Sequence, residues 1–396
     1  YFARAGIYDE PKGEYPDNAY RFALLSKAAT QICKDKDFIP DIIHAHDWPT
    51  GLAPLFLKTW DRVDSPLSST ASVLTIHNIA YQGVYPGNVF SYIGVGREHF
   101  TPDRLEDRGR VNLLKAGIWY ADAITTVSPT HAKEILTPAG GCGLSHRLNA
   151  RRDDLFGILN GVDYEHWNPE SDPLIPARFS AARLDGKMVC KSALQKLFQL
   201  QVRADLPLFG LVSRFAPQKG FNLLMEVLPR AMKGMAFQLA VLGTGDGRTE
   251  NFFRWLENAF PGRARCHIGF SNEVSHLIEA GSDFFLMPSI YEPCGLNQIY
   301  SLKYGTLPLV RATGGLEDTV ENYDQNTGNG TGFKFHDATP NALYNTLGWV
   351  LGTWYDRPAH ITRLRQQAMA KEFSWDDSAR KYIDVYHHAL RKKRGG

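Results

Sequence analysis

Short apolar runs, closed by glycine or a small polar residue, recur along the chain at residues 41–46, 73–76, 123–127, 156–159, 209–212, 238–242, 283–287 and 307–310. Runs of this length bounded by turn-forming residues predict strands buried on both faces. Between them the spacing changes. Leu224, Val227, Leu228 and Ala231 recur at intervals of three and four, which gathers them on one face of a helix. Strand and helix alternate, so the pattern implies an α/β fold with parallel sheets covered by helices. In open sheets of that kind ligands bind beyond the carboxyl ends of the strands. Near the end, Ser374 and Asp377 form a variant of the capping box, followed by Tyr382, Ile383, Tyr386 and Leu390. This predicts an amphipathic helix docked on the body of the protein. Residues 324–331, rich in Asn and Gly, predict a surface loop.

The 396 residues are too many for one compact core and divide most naturally into two lobes with a cleft, separated near residues 201–207. With 43% apolar and 22% charged residues, the composition excludes wholesale disorder and collagen-like repeats. A formal charge of +2 with scattered cations lacks the footprint of a nucleic-acid binder. One basic run, Arg391-Lys392-Lys393-Arg394, reads as a solvated terminus, with an anion or partner site as the alternative. Cys33, Cys142, Cys190, Cys266 and Cys294 are odd in number and form no C-x-x-C pair, against a disulfide framework or zinc knuckle and for a reducing compartment. No apolar stretch approaches the ~20 residues that cross a bilayer, so no membrane partner is expected. The chain opens Tyr1-Phe2-Ala3 without a strand-plus-glycine-loop pattern, from which a missing N-terminal segment is expected.

The strongest local pattern is Val212-Ser213-Arg214-Phe215-Ala216-Pro217-Gln218-Lys219-Gly220, between a predicted strand and a predicted helix. Helix amides, the helix dipole, the planar fork of Arg214 and the point charge of Lys219 suit a pyrophosphate; two surface cations are the plainer alternative. Glu292, on a turn between Pro and Gly in Pro288-Ser289-Ile290-Tyr291-Glu292-Pro293-Cys294-Gly295-Leu296, either binds sugar hydroxyls or caps the next helix. Cys294 is a thiol of lowered pKa at a helix start or a small packed side chain. In Arg311-Ala312-Thr313-Gly314-Gly315-Leu316 the glycines let backbone amides approach an anion, or form a plain loop.

In the first half, His77 ends one predicted strand and His44-Ala45-His46-Asp47-Trp48 ends another. His44 and His46 share a strand face, but no third metal ligand is apparent, and structural histidines are expected. Trp48 suits a sugar ring or a core equally. Gly243-Thr244-Gly245-Asp246-Gly247 is an imperfect dinucleotide fingerprint. Its third glycine falls one place early, and no acidic residue ends a strand about 20 residues further on. The D-x-D of Asp35-Lys36-Asp37 lies in a polar stretch, which leaves a metal-dependent sugar transferase unsupported.

In this order, HAHDW, TIHNIAYQG, ILNGVD, SRFAPQKG, EPCGLNQIY and KYGTLPLVRATGGLEDTV closely resemble the ADP-glucose-type glycogen and starch synthases. The resemblance runs from about residue 14 through Phe373-Ser374-Trp375 and beyond. It implies the GT-B arrangement of two facing Rossmann-like domains: residues 1–203 as a partial acceptor-side domain, 204–372 as the nucleotide-sugar domain, and 373–396 as a helix returning to the first. Carried over by motif, Arg214 and Lys219 would hold the distal phosphate, and the amides around Thr313, Gly314 and Gly315 would help cradle it. Glu292 would bind the transferred glucose, and His77 would donate a hydrogen bond to it. Asp47 and Asn160 would line the same cleft, with Cys294, Gly295 and Leu296 near the donor.

The implied reaction is retaining transfer of glucose from ADP-glucose to the non-reducing end of an α-1,4-glucan. Its transition state is oxocarbenium-like, and the leaving phosphate draws the acceptor proton. No metal and no cofactor are implied, and the setting would be bacterial cytoplasm or plastid stroma. Related retaining transferases carry a second Glu eight positions after the first; Tyr300 stands there, as the synthase pattern allows. The family's N-terminal K-x-G-G-L loop has no counterpart, so the chain as given is expected to be a fragment, inactive or poorly folded alone. EPCGL and HNIAYQG argue against a sucrose synthase or trehalose-phosphate synthase relative. A non-catalytic glucan-binding paralogue is disfavoured by intact Arg214, Lys219, Glu292 and His77. ADP-glucose against UDP-glucose turns on residues 269–272, which the pattern leaves open.

Overall fold

Each of the eight predicted runs overlaps a strand in the computed structural model, which describes residues 2–10 and 13–395. Strands β1 (Ile42–His46), β2 (Ala71–Ile76), β3 (Ala123–Thr126) and β4 (Leu155–Gly157) form one parallel sheet in that order. All of β2 is buried, as a central strand covered on both faces requires, and its two polar side chains are satisfied, Ser72 by Asp122 at 3.0 Å and Thr75 by Thr125 at 2.6 Å. The second parallel sheet contains β5 (Leu208–Phe215), β6 (Gln238–Gly245), β7 (Ala264–Ile268), β8 (Phe284–Met287), β9 (Leu307–Arg311) and β10 (Phe333–Phe335), in the order β7-β6-β5-β8-β9-β10. The direction of strand succession reverses between β5 and β8. That is a topological switch point, where a crevice opens beyond the strand ends. The edge strands β7 and β10 were not foreseen, because Arg265, His267 and Lys334 interrupt their apolar positions.

Leu224, Val227, Leu228 and Ala231 lie on helix Phe221–Gly234 and are buried against Phe209, Leu211 and Leu239 of the second sheet. The leucine and valine side chains contribute roughly 1.5–3 kcal/mol each when fully buried. The C-terminal helix Trp375–Gly395 begins where Ser374 accepts a bond from the Asp377 amide at 3.4 Å. Tyr382, Val385, Tyr386, Ala389 and Leu390 pack on Ile42, Val73, Ala123 and Phe156. The expected Ile383 contact is corrected: Ile383 is 51% exposed, since it falls outside the three-and-four spacing of the docked face. Residues 324–331 form a turn closed by Asp324, with Asp324–Thr327 exposed. No helix among the described residues is long and apolar enough to cross a membrane.

The chain forms two compact units. One runs to Leu159 and resumes at Ser378; the other is the continuous stretch Asn160–Asp377. The boundary thus falls at residue 160 rather than near 201–207. Residues 160–203 pack within the second unit: Trp167 stacks between His276 and Tyr300, with centroids 3.8 and 4.0 Å away. Asp172 accepts a hydrogen bond from Tyr304 and pairs with His276 Nδ1 at 2.8 Å. Helix Asp185–Leu197 lies against helix Asn272–Gly281. The later division falls at Ser378 rather than 373, because Phe373 exchanges backbone-anchored bonds with Val162 at 3.0 Å and Tyr164 at 2.9 Å.

Candidate active site

The candidate residues of the second unit gather at the carboxyl ends of β5, β8 and β9, around the switch point. Arg214 is the penultimate residue of β5; its guanidinium is exposed and has no hydrogen-bond or ion-pair partner among the described residues. After a single 3-10 turn, Gly220 adopts φ +76°, and a Cβ there would come 2.0 Å from the Pro288 carbonyl oxygen. Only glycine permits that approach. The Ile290 amide donates to Gln218 O at 2.7 Å, and the Tyr291 hydroxyl to Gln218 Oε1 at 3.0 Å. The loops after β5 and β8 are thereby joined at Gln218.

Their joining brings Lys219 Nζ to 2.6 Å from Glu292 Oε2, which also accepts from Ser289 Oγ at 3.1 Å. Glu292 is buried, its side chain 7% exposed, and the following helix begins only at Asn297, so Glu292 is not its cap. From β9, Arg311 fixes the loop by donating to Ser289 O at 2.8 Å and to Ile290 O. Arg311 and Gln218 gave no sequence signal because each acts on groups far away in the chain, whereas Ser289 bonds Glu292 only three residues on.

The glycines after β9 serve packing. A Cβ on Gly314 would lie 2.0 Å from Glu292 O, and one on Gly315 2.0 Å from Cys294 O. The Gly315 amide donates to Glu292 O and Pro293 O, both at 3.1 Å, which removes it from the expected phosphate cradle. Thr313 is buried at the N-cap of the short helix that follows. Cys294 is buried, and burial pushes its thiol up to about 12 despite a backbone hydrogen bond from Asn160. It is therefore a packed thiol, and Asn160 lies beside it. Gly295 turns the chain at φ +71°, leaving Leu296 38% exposed.

In the first unit, Asp47 adopts φ +54° and its Oδ1 accepts the His77 amide at 2.7 Å and the Asn78 amide at 3.4 Å. Burial pushes the Asp47 carboxyl up; the neighbouring His77 and the two amides oppose it. Trp48 is a core residue, 4.7 Å from Phe22 in an edge contact, and does not offer a free face to a sugar. His44 has both ring nitrogens engaged, by Tyr386 at 2.9 Å and Thr75 at 2.6 Å. Among the described residues no three His, Cys, Asp or Glu side chains gather as a metal site. In the glycine-rich turn at 243–247, Glu250 Oε1 accepts from Thr244 Oγ1 at 2.8 Å and from the Gly245 amide at 3.2 Å. A carboxylate on that amide disfavours a pyrophosphate there.

A family profile described as "Starch synthase catalytic domain" matches residues 1–150, and one described as "Glycosyl transferases group 1" matches residues 194–364. Glycogen synthase 1 of Geobacter metallireducens is 48% identical over 395 residues, covering 100% of this chain and 78% of that protein. The glycogen synthase of Treponema denticola is 46% identical, covering 99% and 80%. Among solved structures, the catalytic domain of starch synthase IV from Arabidopsis thaliana, bound to ADP and acarbose, superposes with a TM-score of 0.89 at 33% identity, over 98% of this chain and 80% of that one. A sucrose-phosphate synthase from Thermosynechococcus elongatus, at 18% identity and a TM-score of 0.60, shares the fold. With the two parallel sheets and these relatives together, the chain belongs to the glycogen and starch synthase family of GT-B glycosyltransferases.

Proposed function

We propose that this synthase takes ADP-glucose as donor and extends an α-1,4-glucan at its non-reducing end with retention of configuration. The observation that carries the reading is the Lys219–Glu292 pair at the switch point together with Arg214, exposed near the end of the preceding strand and without a side-chain partner among the described residues. A diphosphate needs cations whose donors are not exhausted. Lys219 has three N–H donors and gives one to Glu292, leaving donors for a phosphate, while Arg214 offers its whole fork. In this reading Glu292, held by Lys219 and Ser289, accepts from the hydroxyls of the transferred glucose. The roles of His77, Asp47, Asn160, Cys294, Gly295, Leu296, Thr313 and Gly314 as substrate contacts belong to the same proposal. The ADP in the starch synthase IV structure supports adenine over uracil. The bacterial relatives favour a bacterial cytoplasm over plastid stroma.

In this mechanism the bond from glucosyl C1 to the leaving phosphate oxygen breaks as the bond from C1 to the acceptor O4 forms. The O4 proton passes to the leaving phosphate. Negative charge develops on that phosphate, so preorganised Arg214 and Lys219 supply the main electrostatic stabilisation, and losing one such donor costs about 2.7–4 kcal/mol, or 10²–10³ in kcat. The test is glucose incorporation into glycogen by the full-length protein from ADP-glucose and UDP-glucose, with Glu292→Ala and Arg214→Ala alongside. ADP-glucose turnover that collapses at least about 10²-fold in both variants is expected. Glucan binding without turnover from either donor would sink the catalytic reading in favour of a binding paralogue.

A further inference from the structure

Parallel pairing sets His44 opposite Val73 and His46 opposite Thr75. His77 stands two residues beyond Thr75, on the same face. The three imidazoles stack in series: His44 on His46 at 4.4 Å, and His46 on His77 at 5.3 Å with 29° between planes. His46 Nδ1 lies 3.0 Å from His77 Nε2. Behind them His44 is locked by Tyr386 and Thr75, and Thr75 by Thr125 at 2.6 Å, so the ring supporting His46 is held from both sides. Asp47 fixes the His77 backbone at 2.7 Å.

A bond between two imidazoles needs one bare nitrogen and one N–H. Loss of solvent, then the adjacent His77, lowers the His46 imidazole below its usual range, which favours the neutral ring with a single proton. With that proton on Nδ1, His77 Nε2 must be bare and its own proton must sit on Nδ1. With the opposite polarity, His77 donates to His46 and keeps only an acceptor for anything else.

We propose that His46 is a positioning residue that donates from Nδ1 to His77 Nε2 and thereby holds His77 as the Nδ1–H tautomer, an N–H donor to a hydroxyl of the transferred glucose. The inference rests on the reading of His77 as a substrate contact. Free imidazole side chains favour the Nε2–H form, so without His46 the larger share of His77 would present no donor at Nδ1.

The experiment uses the full-length protein with nitrogen-15 histidine, assigning His77 by its loss in His77→Ala, together with kcat, KM and ADP affinity for His46→Ala and His46→Asn. The parent should show His77 protonated at Nδ1 and bare at Nε2. His46→Ala should move the proton to Nε2 and lower kcat about tenfold, the equivalent of one hydrogen bond, with ADP affinity unchanged. Asn places an amide N–H near the former Nδ1 and should restore both the tautomer and most of kcat. A parent spectrum with His77 protonated at Nε2, or equal losses in the Ala and Asn variants, would overturn the inference, and the parent spectrum decides even if His46→Ala misfolds. Full activity of His77→Ala would overturn the underlying reading of His77 instead.

Discussion

Gly220 and Gly247 both border helices of the second unit, yet they should respond oppositely to alanine. At Gly220 the backbone is left-handed and a Cβ would lie 2.0 Å from Pro288 O; at Gly247 nothing lies within 4 Å. Gly220→Ala must separate the two loops that hold Lys219 to Glu292. It should lower the melting temperature, by more than about 1 kcal/mol in stability, and lower kcat/KM for glucosyl transfer further than stability alone explains. Gly247→Ala should be neutral or stabilising by about 0.4–1 kcal/mol. Equal melting temperatures for the two variants would show that the Gly220 contact does not matter. A second residue-scale prediction concerns Glu279, which is buried, accepts from Ser301 Oγ at 2.6 Å and leaves Oε1 without a partner among the described residues. Burial pushes its carboxyl up from 4.5 to about 8. A raised folded pKa means that stability is fully present below the unfolded pKa and is lost as pH rises through the folded one. Glu279→Gln should therefore gain on the parent between pH 4.5 and about 8 and level off above, and a pH-independent difference in melting temperature would contradict it. At this scale the sequence located Arg214, Lys219 and Glu292 by their positions after strands. It could not tell that the Gly315 amide is taken, or that His46 reaches His77, because both depend on which strands become neighbours.

Central strands were legible as elements because burial on both faces leaves a mostly apolar run, as in β2 and the first six residues of β6, whose few polar residues are themselves buried. Edge strands β7 and β10 face solvent along one side and carry polar residues, so the same signal fades. The C-terminal helix was legible through its apolar spacing, whereas its electrostatic anchor was not. Asp154, just before β4, meets Arg151 at 2.9 Å, His388 at 3.1 Å and Lys392. Burial pushes the Asp154 carboxyl up, but the bonds from Lys392, Arg151 and His388 outweigh it and hold it at about 2, below the ordinary 3.8. A depressed folded pKa contributes stability above the unfolded value that is lost as pH falls through the folded one. Asp154→Asn should thus lower the melting temperature at neutral pH, modestly because Lys392 is partly exposed. The deficit should shrink from pH 3.8 to about 2. A deficit that persists undiminished at the acid end would assign the effect to packing instead.

For the whole molecule the composition and length foretold two units, but local polarity near 201–207 misplaced their border, since a loop within a unit is as polar as a loop between units. What fixes the border is long-range pairing. Asp283, at the start of β8, is buried with Lys191 at 2.7 Å and Arg365 at 2.6 Å, and its Oδ2 accepts the Leu208 amide at 2.9 Å. Lys191 lies before the misplaced border and Arg365 near the end of the unit, so one carboxylate ties both ends to the central sheet. Leu194, Phe198 and Leu200 cover Leu208, Ala240, Ile278 and Phe285 from the same preceding segment. Cutting at 204 removes that cover and one partner of a buried ion pair, costing about 3–5 kcal/mol for the pair and about 1.5–3 kcal/mol for each apolar side chain. Those losses rival the whole stability of about 5–15 kcal/mol expected of such a domain. Residues 160–377 expressed alone should therefore unfold in one cooperative transition and bind ADP through Arg214. Residues 204–372 should give no cooperative melt. If the shorter fragment melts as sharply and binds ADP as tightly, residues 160–203 are an appendage and the unit's true border lies where the local sequence placed it.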